Sequence, residues 1–369
     1  MIVVPVVNRT NYSKIKPILQ QLSKHDIEVE LVVGSSALID DFGTVKKDIE
    51  SDGFGRIFYM DSCLRSDSHA AMSKNNAISM IQFSTYLENN KPEMALVVGD
   101  RFDMLAFASC CALQNVPIAH IQGGERSGTI DDKIRFAITA LSDYHFPSTD
   151  VGARNIINCN VDLNKVFCYG CPAVEYVMQH CDKRPLNLDG LRKYSKKNVE
   201  PFLEGDYIVA QLHPNTVDVN DVKMNEALTA LQQIGENTII MYPNIDATEK
   251  DIVADMRRFK QDKFYYFRHF SLDIFVNLIS NCKCFIGNSS AIIRESASYG
   301  VPAINLGSRQ ANRERNDNVF DCEFDSDKIV NLYDKIKDLK LDKTNIYYKK
   351  DCAKNIAKEI ISILSKETI

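Results

Sequence analysis

Acids, histidines and arginines recur in this sequence directly after short apolar runs. Asn8, Arg9 and Thr10 follow the run at 2–7, and Tyr12-Ser13 then open a helical pattern. Gly99-Asp100-Arg101 follows the run at 95–98. After Ala119 come His120, Gln122 and Glu125, and Asp131-Asp132 then lead into a helical pattern holding Arg135. Further on, His213-Pro214 follows Leu212, Asn244 and Asp246 follow Tyr242, and Gly287-Asn288-Ser289-Ser290 precedes Arg294 and Glu295. Abstracting a carbon-bound proton requires a positioned base, and a departing phosphate requires compensating positive charge. Asp100, Glu125, Asp131, His120 and His213 are the candidates for proton transfer. A lone Asp after a strand is ordinarily a cap or turn residue, but several at equivalent strand ends point to a site.

The Gly287–Ser290 segment reads as a pocket for phosphate oxygens. Glycine permits a sharp turn, and two serines at a helix start offer hydroxyls and free backbone N–H groups beside the positive end of the helix dipole. The bland alternative is an ordinary N-cap. Arg309 and Arg313 are either a charge-assisted fork for a phosphate or a solvated run. Neither a P-loop nor G-x-G-x-x-G is present, which argues against a hydrolysed ATP or a dinucleotide.

These residues need elements to hold them. Apolar runs at 2–7, 29–33, 95–98 and 117–121 alternate with helical patterns at 12–24, 72–87 and 104–113. The second half repeats the theme, with strands expected at 207–212, 238–242, 284–286 and 303–306 and helices at 225–234, 272–280 and 291–299. Runs this continuously apolar suit parallel strands buried on both faces, and their alternation with helices gives a doubly wound α/β sheet. A chain of 369 residues suits two domains. We expect one over 1–178, a second over 179–350 and a final helix over 351–369 that packs back on the first. The polar stretch from His180 to Gly205 is the candidate hinge. Ligands of such sheets sit beyond the carboxyl ends of the strands, where the polar residues cluster.

The net charge of −5 provides no global field for nucleic acid or anionic membrane. No stretch reaches the length of a membrane helix, and no secretory leader is visible, so we expect a cytoplasmic protein with its 11 cysteines reduced. Cys168-x-x-Cys171 and Cys282-x-Cys284 lack a second ligand pair for zinc and read as buried small hydrophobes.

At the residues named above, the sequence resembles the hydrolysing UDP-N-acetylglucosamine 2-epimerases of the bacterial sialic acid pathway and the epimerase half of the animal bifunctional epimerase/kinase. The resemblance spans nearly the whole chain. It is carried by Asn8-Arg9 with Tyr12-Ser13-Lys14, Leu38 to Gly43, Gly99 to Asp103 and His120 to Asp132. Gln211 to Pro214, Tyr242 to Asp246, Gly287 to Ser290 and Asn305 to Gln310 continue it in the same order. It implies a GT-B fold of two Rossmann-like domains with an interdomain cleft. It implies conversion of UDP-N-acetylglucosamine and water to UDP and N-acetylmannosamine. A base would remove the proton at sugar carbon 2, UDP would leave to give a glycal, and water would add with inversion.

Carried over by position, Asp100 and Asp131 fall on catalytic carboxylates, with Glu125 and His213 beside them. Arg9, Ser13, Arg101, Arg135, His213, Asn244, Ser289, Ser290, Glu295 and Arg309 fall on substrate or nucleotide contacts. No cofactor is implied, a divalent cation is left open, and a homodimer or homotetramer is expected. The chain departs from the family at Gln122, where a catalytic Glu is usual, and at Thr10-Asn11, Ala37 and Phe136. An amide cannot shuttle a proton. Gln122 is therefore an inactivating change, a mark of altered chemistry, or a sign that Asp100, Asp131 and Glu125 suffice. Diacetamido sugars of the legionaminic acid pathway are alternative substrates. A GT-B glycosyltransferase or a binding protein with little turnover are alternative functions.

Overall fold

The computed structural model describes residues 1–39, 45–66, 68–180, 185–195, 197–202, 206–215, 217–218, 221–243, 249–259 and 261–367. The chain divides into two compact units. Met1–Arg126, Ile130–Tyr176 and Tyr347–Ile369 form the first, and Ser127–Thr129 with Val177–Ile346 form the second. Against the expected limits at 178 and 350, this division runs at 176/177 and 346/347.

The first unit contains strands β1 (Ile2–Val6), β2 (Val29–Gly34), β3 (Arg56–Met60), β4 (Met94–Val98), β5 (Ile118–Ile121) and β6 (Tyr144–Phe146). All pair in parallel, in the order β3-β2-β1-β4-β5-β6. Between them run α1 (Arg9–Leu22), α2 (Lys46–Asp52), α3 (His69–Asn90), α4 (Phe102–Leu113) and α5 (Ile130–Leu141), followed by α6 (Asp150–Ile157) and α7 (Pro172–Gln179). The strand period of two explains why β1 is apolar throughout. Ile2, Val4 and Val6 join Ile15, Ile18 and Leu22 of α1 on one face. Val3 and Val7 join Phe83 of α3 and Phe107 of α4 on the other. A strand covered on both faces has no position for a polar side chain.

The second unit repeats the plan with β7 (Tyr207–Gln211), β8 (Asn237–Met241), β9 (Phe264–Phe267), β10 (Cys284–Gly287), β11 (Ala303–Leu306) and β12 (Val319–Cys322). The order is β12-β11-β10-β7-β8-β9, again parallel. Its helices are α8 (Leu188–Arg192), α9 (Met224–Ile234), α10 (Glu249–Arg258), α11 (Leu272–Asn281), α12 (Ser290–Arg294) and α13 (Ser326–Ile336). Leu228 and Leu231 of α9 and Ile329 of α13 pack on Ile208, Ala210, Ile286 and Ile304. In both sheets the fourth strand lies beside the first. That is the doubly wound order, and its switch points fall between β1 and β4 and between β7 and β10.

The final helix, α14 (Cys352–Glu367), belongs to the first unit. Cys352, Ile356, Ile360 and Ile363 lie at helical spacing and are buried in the cluster that contains β1 and α1. Full burial of Ile356 and Ile360 contributes roughly 1.5–3 kcal/mol each. Glu175 of α7 caps this helix, accepting from the Cys352 N–H at 3.0 Å and the Ala353 N–H at 2.8 Å. Its carboxylate thus satisfies two otherwise unbonded donors at the positive helix end. Among the described residues, no helix is long and apolar enough to cross a membrane.

Candidate active site

In the first unit, the switch point between β1 and β4 is closed by one amide. Asn8 caps α1 by accepting from the Asn11 N–H at 2.8 Å. Asn11 then donates to the Val98 carbonyl at 3.2 Å and accepts from the Val7 N–H at 3.4 Å. This ties the ends of both strands together just before Arg9 and Asp100. Arg9 is half-buried in the first turn of α1, where the helix dipole opposes a cation. Desolvation draws its guanidinium down to about 10, which still leaves a full charge at neutral pH. Ser13 lies one turn on, its hydroxyl donating to the Thr10 carbonyl at 2.9 Å.

Beyond β4, Asp100 is ion-paired with Arg135 of α5. Arg135 is 1% exposed and also reaches Asp132 at 2.7 Å and the Glu125 carbonyl. Burial opposes its charge, but the fields of Asp100, Asp132 and Asp131 more than offset this and raise its pKa above the ordinary value. Asp131 lies four residues before Arg135 and therefore shares its helix face. Asp100, Asp131, Asp132 and Arg135 thus form one charged group, to which Glu125 contributes its backbone carbonyl. Arg101 is held differently. Its guanidinium donates twice to one oxygen of the fully buried Asp103, at 3.3 Å, and Ser35 donates to the other at 2.9 Å.

Gln122 follows β5 with φ of 64°, a left-handed conformation that is strained for a residue with a Cβ. Its N–H donates to the Phe146 carbonyl at 2.9 Å. Its side chain is 2% exposed; Nε2 meets the Cys171 sulfur at 3.2 Å, and Oε1 is buried without a hydrogen-bond partner. His120 departs from the expectation of a proton-transfer group. It is fully buried within β5, its Nε2 lies 2.8 Å from the Gly99 carbonyl and its Nδ1 lies 3.2 Å from the Thr139 hydroxyl. Desolvation lowers its pKa to about 4. The ring is committed to the scaffold.

The second unit closes its switch point in the same manner. Asn288 accepts from the His213 N–H at 2.7 Å and returns a bond to the His213 carbonyl at 2.8 Å. His213 itself is buried. Gly287 makes this approach possible, with φ of 147° and a backbone position where a Cβ would run into the main chain of Gln211. Arg309 donates through Nε to the Pro214 carbonyl at 3.2 Å and through Nη1 to the Asn288 carbonyl at 3.1 Å. Gln310 joins it on Asn288 at 3.2 Å. Two donors of the Arg309 fork therefore brace the loops that follow β7 and β10.

Ser289 caps α12, accepting from the Ala291 N–H at 3.3 Å, and Ser290 begins the helix. The helix expected over 291–299 is shorter than its pattern suggested. α12 ends at Arg294, Glu295 is its C-cap, and a 3₁₀ turn covers Ser296–Tyr299. Five residues sum to a weak dipole, so any anion there is held mainly by hydroxyl and N–H donors. Asn244 and Asp246, and residues 40–43 of the Leu38–Gly43 segment, lie outside the described residues.

The reading from sequence gave no site role to Asn11, Ser35, Asp103, Cys171 or Asn288. A polar residue one turn into a helix that follows a buried strand was the available signal for Asn11. Among the described residues, no three His, Cys, Asp or Glu side chains gather as a metal site.

The chain as a whole is similar to known proteins. The UDP-N-acetylglucosamine 2-epimerase family model matches residues 20–361. The UDP-N-acetylglucosamine 2-epimerase of Neisseria meningitidis serogroup B is 27% identical over 332 residues, covering 89% of this chain and 84% of the relative. The hydrolysing UDP-N,N'-diacetylbacillosamine 2-epimerase of Legionella pneumophila is 28% identical over 331 residues, covering 87% and 85%. The Neisseria meningitidis UDP-GlcNAc 2-epimerase bound to UDP-GlcNAc superposes with a TM-score of 0.79, at 17% identity and 98% and 100% coverage. The Methanocaldococcus jannaschii enzyme in complex with UDP-GlcNAc and UDP superposes at 0.78, with 16% identity and 98% and 99% coverage. The two doubly wound units are those of the GT-B architecture, and the chain belongs to the UDP-N-acetylglucosamine 2-epimerase family.

Proposed function

We propose that the chain is a hydrolysing 2-epimerase that converts a UDP-linked 2-acetamido sugar and water to UDP and the free C2-epimer. The observation that carries this reading is the buried Arg135 joined to Asp100 and Asp132, one turn from Asp131, beyond the first sheet's switch point. In this reading Asp100, held in place by its ion pair with Arg135, removes the proton at carbon 2. UDP departs to leave a glycal, and Asp131 or Glu125 activates the water that adds. Arg9, Ser13 and Arg101 supply polar contacts on the first unit. His213, Asn244, Ser289, Ser290, Glu295 and Arg309 hold the nucleotide and its phosphates on the second. No cofactor is required, with a divalent cation left open, the enzyme is a cytoplasmic homo-oligomer, and its product feeds sialic acid or a related nonulosonic acid in a capsule.

Gln122 favours a second reading of the substrate. Its amide can bind but not transfer a proton, so a sugar with different demands at carbon 2 or its neighbours fits this chain as well. The Neisseria and Legionella relatives, named for N-acetylglucosamine and diacetylbacillosamine, match it almost equally. A thermal-shift panel of UDP, UDP-N-acetylglucosamine and UDP-diacetamido sugars, coupled to chromatography of the products, tests both. A ligand at a hundred times its Kd stabilises by about 2.7 kcal/mol. The expected result is UDP release with an epimerised sugar from one of the two. Release of UDP with the sugar unepimerised contradicts the proposal.

A further inference from the structure

We propose that His120 is a positioning residue, a bolt that fixes the three segments bearing the first unit's acids in one arrangement. The inference rests on the epimerase reading for its kinetic consequence and on geometry for its substance. A backbone carbonyl only accepts, so Nε2 of His120 donates to Gly99, the residue directly before Asp100. Nδ1 is then the acceptor for the Thr139 hydroxyl on α5, the helix that carries Asp131, Asp132 and Arg135. The third attachment is steric. A Cβ on Gly123 would lie 2.8 Å from Nδ1, so the chain between Gln122 and Glu125 passes hard against the ring. One fully buried imidazole therefore touches the loop after β4, the loop after β5 and the body of α5.

The alternative, that His120 moves a proton itself, is disfavoured by the same contacts. Both nitrogens are engaged within the fold, and neither faces solvent. Burial keeps the ring uncharged, the fields of His145 and Arg135 act in the same direction, and together they outweigh the opposing Gly99 hydrogen bond and the field of Asp100. The reacting groups need placement to within fractions of an ångström, and a misplacement of about 1 Å can lower turnover about 100-fold.

The test compares His120→Phe, which keeps an aromatic ring and loses both bonds, with His120→Gln, whose amide can restore the donor to Gly99. Thr139→Val serves as a gentler cut that removes only the second bond. We expect kcat to fall roughly 10- to 100-fold in His120→Phe, with KM and UDP affinity unchanged. Partial rescue is expected in His120→Gln, with an intermediate loss in Thr139→Val. The pH profile between 5 and 8 keeps its shape in every variant that turns over. Loss of a limb of that profile in His120→Gln, or full turnover in His120→Phe, overturns the proposal. Hydrogen exchange provides an arm independent of catalysis. Amides of residues 99–103 should exchange at least tenfold faster in Thr139→Val and His120→Phe. Unchanged exchange there overturns the bolt, whereas a wild-type protein without turnover refutes the epimerase reading alone.

Discussion

Replacing Arg135 with methionine keeps the length of the side chain and removes a buried cation joined to both Asp100 and Asp132. Breaking one side of a buried ion pair costs about 3–5 kcal/mol, because the stranded charge remains. The two carboxylates are 18% and 23% exposed, so some water reaches them and the cost falls at the low end, about 3 kcal/mol. In a domain of this size, each kcal/mol moves Tm by roughly 2–4 °C, so Tm should drop by roughly 6–12 °C. Urea unfolding at pH 7 measures the loss directly. The double variant Arg135→Met/Asp100→Asn completes a cycle in which the second change should recover part of the first, a coupling of about 0.5–3 kcal/mol. A loss under about 1 kcal/mol, or strict additivity, would refute the argument that this cation organises the acids.

Gln122→Glu should raise turnover by about 100-fold or more if this position lacks only a proton-transferring group, since general acid–base catalysis contributes roughly 10²–10⁴-fold. Steady-state kinetics decide, and an unchanged rate means that Asp100, Asp131 and Glu125 carry the proton transfers without it. His145 makes stability depend on pH. It is fully buried in β6, neither ring nitrogen has a hydrogen-bond partner, and desolvation lowers its pKa to about 4. The unfolded chain takes up this proton near pH 6.5 and the folded chain only near pH 4. Stability is therefore complete above 6.5 and declines as the pH falls between these values, by up to about 3 kcal/mol. His145→Leu should flatten that decline by one proton in urea titrations from pH 7 to 4. A slope identical to the parent's contradicts the assignment. Glu175→Gln weakens the cap on α14, and hydrogen exchange should show its first turn opening earlier, at a cost of about 1 kcal/mol.

The eight strands anticipated from sequence are the inner four of each sheet, and the four edge strands went unread. Inner strands are covered on both faces and flanked by neighbours, which forces unbroken runs such as Ile2-Val3-Val4. The edges β3 and β12 are partly exposed, β6 has three residues, and β9 is an aromatic run without alternation. None of these carries a periodic signature. The polar tips of the inner strands were legible because strand ends are where a doubly wound sheet changes from apolar to polar. The residues that hold those tips were not. Asn11 and Val98 are 87 positions apart, and Asn288 and His213 are 75 apart. Their pairing depends on which strand lies beside which, a property of the strand order rather than of any local pattern. His120 shows the converse. Its residue type suggested proton transfer, whereas its place inside β5 makes it part of the frame.

The most direct test of the account is turnover in deuterated water with UDP-N-acetylglucosamine and the diacetamido alternatives. Removal of a carbon-bound proton by Asp100 followed by hydration of a glycal predicts free, epimerised sugar with one deuterium at carbon 2, released together with UDP. Epimerised product that retains its original hydrogen at carbon 2 would contradict it.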